Sequence, residues 1–288
     1  KEVWGTAEEL EFLLEHYGLD SIGWGSPFLL VPEAINVDEK TMHLLSDAKE
    51  DDLYLSNISP LGVPFNSLKG NTKDIEKENL IKNHTPGSVC IKQYCSLQGE
   101  FAGKPMCAAS RQYQKKKIEA LTLQISDKKE LRQEIEKVTD KSCICVGLGT
   151  SALLVNHLDT KKEGPGVSVC PGPNMAYFQK KVSLKKMVDH IYGRTNIVKR
   201  KDRPNLFIKE LELYMDYLGE KIKNTNFATD LKQKDYLKTF AQNLNQGIAY
   251  YKSLFTAFGE QLTNEKNNIL QILNQKEKQL DSTLKTMG

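Results

Sequence analysis

The chain has 288 residues, of which 39% are hydrophobic and 27% charged, a globular rather than disordered composition. Its 40 basic side chains nearly cancel 37 acidic ones, leaving +3, which argues against a nucleic-acid partner because such partners favour a strong basic excess. No run of apolar residues is long enough to span a bilayer, so no membrane partner and a cytoplasmic location are expected.

The first segment covers residues 1–69. It opens on Lys1 and enters a helix almost at once, which reads as a chain cut from something longer or a processed product. Thr6 and Glu9 have capping-box spacing, Leu10, Leu13, Leu14 and Tyr17 follow at helical spacing, and Gly18 stops the helix. "DSIGWGSPFLLVP" reads as a buried strand leaving through a glycine loop. Asp38 caps a short helix carrying Met42, Leu45 and Ala48. "DLYLSNISPLGVPFNSL" is apolar but broken by Pro60, Gly62 and Pro64, and reads as an ordered loop.

The second segment, residues 70–182, holds every cysteine. "NTKDIEKENLIKNHTPG" reads as a polar connector. Ser110 to about Leu123 reads as a helix, and Ser126 caps another with Leu131, Ile135 and Val138 on one face. "CICVGLGTSALLVNHL" reads as strand, glycine turn and helix; "GVSVCPGPNMAYF" reads as a strand ending in a Pro/Gly corner. The third segment, residues 183–288, reads as a helical bundle. Ser183 caps its first helix, and Pro204 marks the start of the next. Two longer helices run roughly from Lys232 to Phe258 and from Leu262 to Lys285. Lys276 falls where a coiled-coil seam needs an apolar residue.

Cys90, Cys95, Cys107, Cys143, Cys145 and Cys170 are all the cysteines. Thiolates are soft ligands that suit zinc or iron–sulfur iron. Cys90 follows Pro-Gly-Ser, Cys107 follows Lys-Pro-Met, Cys145 precedes a glycine turn and Cys170 precedes Pro-Gly-Pro, so short loops could let the sulfurs converge. The expected metal ligands are Cys90, Cys107, Cys143, Cys145 and Cys170. Cys95 is left out, because no Gly or Pro stands beside it. No C-x-x-C pair exists, and Cys143 and Cys145 would point to opposite faces of a strand. Three disulfides, or simply buried thiols, are the competing readings. Lys92, Lys104, Arg111 and Lys141 lie close in sequence to the cysteines and could balance a cluster's negative charge.

"GLGTSA" (147–152) lacks the third glycine of the dinucleotide fingerprint, and tight packing explains it as well as anion binding. "GTAEELEFLLEHYGLDSIGWGSPFLL", a Gly-Thr-Ala-Glu-Glu helix start followed by an expected strand ending in Gly-x-Gly, resembles the closing units of FMN-dependent TIM-barrel oxidoreductases of the nitronate monooxygenase kind. The resemblance covers residues 1–30. It implies an α/β fold class with partial barrel-like βα units and FMN-phosphate contacts from Gly5, Thr6, Gly23, Gly25 and Ser26. The preceding strands are absent from this chain, so it also implies a partner, either a missing N-terminal segment or a second subunit. The remainder resembles a module of Bacteroidetes-type proteins to which no activity attaches.

His157 and His190 stand near helix C-termini, where the dipole welcomes them. His84, six residues before Cys90, could complete a mixed Cys/His site. No Ser-His-Asp or H-E-x-x-H pattern is present, so no catalytic residue is named. The expected function is a metal-bearing module, iron–sulfur first, of a flavin-type oxidoreductase, with the centre relaying electrons or acting structurally. The alternatives are a noncatalytic helical interaction protein with buried thiols and a zinc-stabilised scaffold.

Overall fold

The computed structural model describes residues 5–172, 174–178, 181–198, 200, 203–225, 227, 231–257 and 263–286, with backbone alone at 206, 263–267 and 286. These residues are mostly helical, with one two-stranded sheet. They divide into two compact units, Lys1–Arg200 and Lys201–Gly288. No single helix among them is long and apolar enough to cross a membrane.

In the first unit, helix α1 (Ala7–Tyr17) begins where its capping signal places it. The Thr6 hydroxyl accepts from Glu9 N–H at 3.3 Å, the Glu9 carboxylate accepts from Gly5 N–H at 2.8 Å, and Gly18 ends the helix at φ 60°. The expected strand after it does not form. Pro27 opens a 3-10 turn at Ser26–Leu30, which sinks Leu30 and Val31 completely. Residues 5–30 therefore hold one helix and one turn and no βα barrel unit. Asp38 caps α2 (Glu39–Asp47) by accepting from Thr41 N–H.

The broken apolar stretch is a hairpin, not a loop. Strands β1 (Leu53–Ser56) and β2 (Phe65–Leu68) pair antiparallel from Leu53↔Leu68 to Ser56↔Phe65. Pro60, Gly62 and Pro64 all fall in the connection, where their backbone preferences do no harm to the ladder. The expected polar connector is α3 (Thr72–Lys82), capped by Asn71. Its one fully buried side chain is Lys73, whose Nζ meets the Glu76 carboxylate at 2.5 Å.

Helices α4 (Arg111–Gln124) and α5 (Lys128–Thr139) pack on each other; Ser110 caps α4, and α5 is capped not by the expected Ser126 but by Asp127, whose carboxylate accepts from Glu130 N–H. The expected strand–turn–helix at the C-x-C pair is a single helix, α6 (Ile144–Val155). A helix buried on several faces shows the same apolar density as a strand, which misled the period. The segment 166–172 forms no strand either, although Val167 and Val169 are buried. Its N–H groups go sideways: Val167 donates to Thr72 Oγ1, and Ser168 donates to the Gly147 carbonyl. Ser183 caps α7 (Leu184–Ile191) as expected.

The main core of this unit draws Leu30, Val31, Leu45 and Leu68 together with Val169, Met175, Phe178, Val182, Met187 and Ile197. Residues on both sides of the expected break at 69/70 thus share one core. Burial of side chains of this kind contributes about 1.5–3 kcal/mol each.

The second unit consists of α8 (Leu206–Lys223), α9 (Leu231–Ala257) and α10 (Thr263–Thr286), which pack on one another. Ile208, Leu218, Leu237, Ile248 and Leu273 are among its fully buried apolar side chains. Lys276 is no defect in a seam: its Nζ pairs with Glu212 of α8 at 3.1 Å. The expected helix ends Phe258 and Leu262 lie outside the described residues.

Candidate thiol centre

The loop between α3 and α4 is pinned at two points. Ser88 and Ser110 form a parallel bridge, with Ser88 N–H on the Ala109 carbonyl at 2.9 Å and Arg111 N–H on the Ser88 carbonyl at 3.0 Å. Gly87 makes this approach possible, since a Cβ there would lie 2.7 Å from the Arg111 backbone and its φ is 85°. Further along, Gln98 and Met106 exchange both N–H···O bonds at 2.9 Å. Cys90 follows the first pin, Cys95 lies between the pins, and Cys107 follows the second.

The other sulfurs come from the start of α6. Cys143 is its N-cap residue and Cys145 stands in its first turn. Ser142 N–H donates to the Ile58 carbonyl, tying this end to the hairpin connection. Gly147 lets α6 lie against Ser168, because a Cβ would come 2.5 Å from Ser168 Oγ. Gln114, fully buried on α4, joins the two segments: its Nε2 donates to the Ala108 carbonyl at 3.2 Å and to the Lys141 carbonyl at 2.9 Å.

These supports bring Cys95, Cys107, Cys90 and Cys145 into one cluster around Ala109. Cys95 Sγ and Cys145 Sγ stand 3.4 Å apart. Cys143 is buried at its edge, close enough for its charge to act on Cys107. Two thiols already receive main-chain N–H groups, Cys107 from Ala109 and Cys143 from Val146. Burial, reinforced by the neighbouring sulfurs, pushes the Cys107 thiol up to about 12. Burial and the hydrogen bond with Cys95 push Cys145 to about 11. Burial also raises Cys143, against the pull of Val146 N–H and the Lys73 ammonium. Cys107 and Cys145 are therefore neutral thiols near pH 7; as thiolates they would need a cation to offset their desolvation and mutual repulsion.

Among the expected ligands, Cys90, Cys107, Cys143 and Cys145 are thus brought together, whereas Cys170 is exposed and not a member of the cluster. Cys95, left out of the expected set, is a central member. His84 is exposed in the turn after α3 at φ 56°, also outside the cluster. Among the described residues, no group of three or more His, Cys, Asp or Glu side chains is already arranged to hold a metal ion. Gln114 was missed as well; its signal was a polar residue on the inward face of an otherwise solvated helix.

No family model, curated protein or solved structure matches this chain. The thiol cluster has to be interpreted from its own chemistry.

The residues of the flavin resemblance meet elsewhere in the same unit. His190, buried at the end of α7, donates from Nε2 to the Gly5 carbonyl at 2.9 Å, and its ring meets Trp24 edge-on at 5.7 Å. The turns containing Gly5 and Thr6 and containing Gly23, Gly25 and Ser26 therefore share His190 as a neighbour. Gly5 N–H and the Thr6 hydroxyl are engaged in the cap of α1. A separate cleft of about 720 Å³ lies over α2 and β2 and carries both charges, among them Glu39, Lys40, Asp47 and Lys69, but no thiol.

Proposed function

We propose that the cluster is a centre for a thiophilic metal, an iron–sulfur cluster held by four of Cys90, Cys95, Cys107, Cys143 and Cys145. The observation that carries this reading is the convergence of Cys90, Cys95, Cys107 and Cys145 from two separate segments, with Cys95 and Cys145 in sulfur contact across 50 residues. Main-chain N–H groups aimed at Cys107 and Cys143 support it, because hydrogen bonds to ligand sulfur stabilise the thiolate and tune a cluster's potential. The N-terminus of α6, with no side-chain cap, adds a favourable dipole for an anionic centre. Loading requires the thiol side chains to rotate toward a common body. The centre relays electrons or holds the α3–α4 loop to α6.

The link to a flavin-type oxidoreductase belongs to the same proposal. It rests on the resemblance of residues 1–30 to the end of an FMN-binding barrel and on the meeting of both glycine turns at His190. Zinc bound by four of the same thiols is the second reading, favoured by the same N–H···S bonds.

The deciding experiment is iron, sulfide and zinc analysis of anaerobically prepared protein, with visible absorption. Iron and sulfide in equal amounts with a broad absorption support the first reading; one colourless zinc per chain supports the second. Cys95→Ser or Cys145→Ser should abolish the metal, and Cys170→Ser should retain it. Metal-free protein with six titratable thiols would sink both readings and leave an interaction protein with buried thiols.

A further inference from the structure

A cleft of about 700 Å³ opens beside the thiol cluster, with Cys90 and Cys107 on its wall. Lys104, Arg111, Lys115 and Lys116 line it, and no Asp or Glu does. Lys104, Arg111 and Lys115 have no ion-pair partner among the described residues; Lys116 Nζ lies 5.8 Å from the centre of the Phe101 ring. Glu100, the nearest carboxylate in sequence to Lys104, is taken by Lys117 and Tyr113, and Glu119, one turn beyond Lys115 and Lys116, forms no ion pair with either among the described residues.

This arrangement is electrostatically costly, as is the first turn of α7, which holds Lys185 and Lys186 and no acidic residue. Arg111 and Lys115 are like charges one helical turn apart, which repel. Both belong to the first turns of α4, where the helix field disfavours cations, and the first turn of α4 has no acidic residue. By contrast α1, α2, α3 and α5 each carry an acid there. An anion in the cleft would attract both cations and the helix N-terminus and so offset these unfavourable terms.

We propose that the cleft binds a small molecule bearing two or more phosphate groups. Its size is in the range of small-molecule sites, and four cations match a multiply charged ligand better than a single carboxylate. An open cleft of this size in a chain of nearly balanced charge does not fit an extended nucleic-acid track. The ligand's anionic end would lie beside Cys90 and Cys107, so an anionic thiol centre would compete for the same cations and weaken its binding.

The test is calorimetric titration of the full chain at low salt with fructose 1,6-bisphosphate as the probe. Propane-1,2,3-tricarboxylate serves as the charge-matched comparator. One bisphosphate per chain should bind, more tightly than the tricarboxylate. The double variant Lys104→Glu/Arg111→Glu should weaken it by about tenfold or more, as expected for loss of charge-assisted contacts. Lys128→Glu/Lys129→Glu, the same charge change at the start of α5, should leave it nearly unchanged. Circular dichroism checks that each variant is folded. No binding, equal binding of the tricarboxylate, or equal weakening by both double variants would overturn the proposal, and metal analysis of the same samples reports on the thiol centre separately.

Discussion

Gly147 and Ser168 touch so closely that any side chain at 147 would have to displace Ser168: the Gly147 carbonyl takes the Ser168 N–H at 2.9 Å, and a Cβ would lie 2.5 Å from Ser168 Oγ and 3.1 Å from its backbone nitrogen. This contact sets where α6 begins and hence where Cys143 and Cys145 stand. Gly147→Val should cost about 1–3 kcal/mol through overpacking and, if the thiol cluster holds the proposed metal, lower the metal content. Gly149→Ala, in the same helix with open space around it, should instead stabilise by about 0.5–1 kcal/mol and keep the metal. Urea unfolding and metal analysis of the two variants check both halves.

Gln114 acts as a positioning residue, because it touches backbone on both sides of the thiol cluster and no sulfur. Gln114→Leu keeps the volume but leaves the Ala108 and Lys141 carbonyls without its amide, each a loss of about 1–3 kcal/mol where buried. The expected outcome is a folded protein with a reduced metal content or a shifted visible spectrum. Gln114→Met, which keeps the length and removes the NH₂ donor without adding a charge, should behave like the Leu variant; a purely steric role would leave it like wild type.

Lys73 is 1% exposed, and Glu76 is its one ion-pair partner among the described residues. Glu76→Ala would leave a buried ammonium unpaired, and such losses cost about 3–5 kcal/mol. The double variant Lys73→Met/Glu76→Leu should recover most of that stability. Denaturant midpoints of the two variants and the wild type make the comparison.

Asp38 links the start of α2 to α6. Its N–H donates to Ser151 Oγ at 2.7 Å, and the Ser151 hydroxyl donates back to the carboxylate at 2.6 Å. Burial pushes the Asp38 carboxyl up, but the bonds from Ser151 and Thr41 outweigh it and hold the group below its ordinary value. A depressed carboxyl stabilises the fold above its unfolded pKa, near pH 4, and that contribution is lost as pH falls through the lower folded value. Ser151→Ala should therefore cost about 1–2 kcal/mol at neutral pH, with the gap to wild type narrowing below about pH 4. Unfolding curves between pH 3 and 7 measure it.

Caps and amphipathic periods were legible in the sequence. Thr6, Asp38, Ser110 and Ser183 all cap the helices their spacing announces, because a side-chain oxygen before an apolar period is a local signal. What was not legible depends on distant partners. The strands at 53–56 and 65–68 exist because they pair with each other across a connection that looks like a loop. The polar helix α3 has almost no apolar period; its inward side chain is a lysine. The thiol cluster was half legible. The crowding of cysteines between 90 and 170 was visible in the sequence, but the choice of Cys95 over Cys170 was not. Cys95 owes its place to two backbone pins and to the return of the chain through α4 and α5, and neither leaves a mark beside residue 95.

That return has an energetic corollary. A metal joining Cys95 to Cys145 would tie off a loop spanning 50 residues, which in the chain-entropy picture restricts the unfolded ensemble by about 4 kcal/mol. The helical hairpin inside the loop forms from local contacts and needs no such tie. Chelation would then loosen the knuckle of residues 88–110 from α6 while α4 and α5 stayed folded, so hydrogen exchange would quicken at the knuckle first.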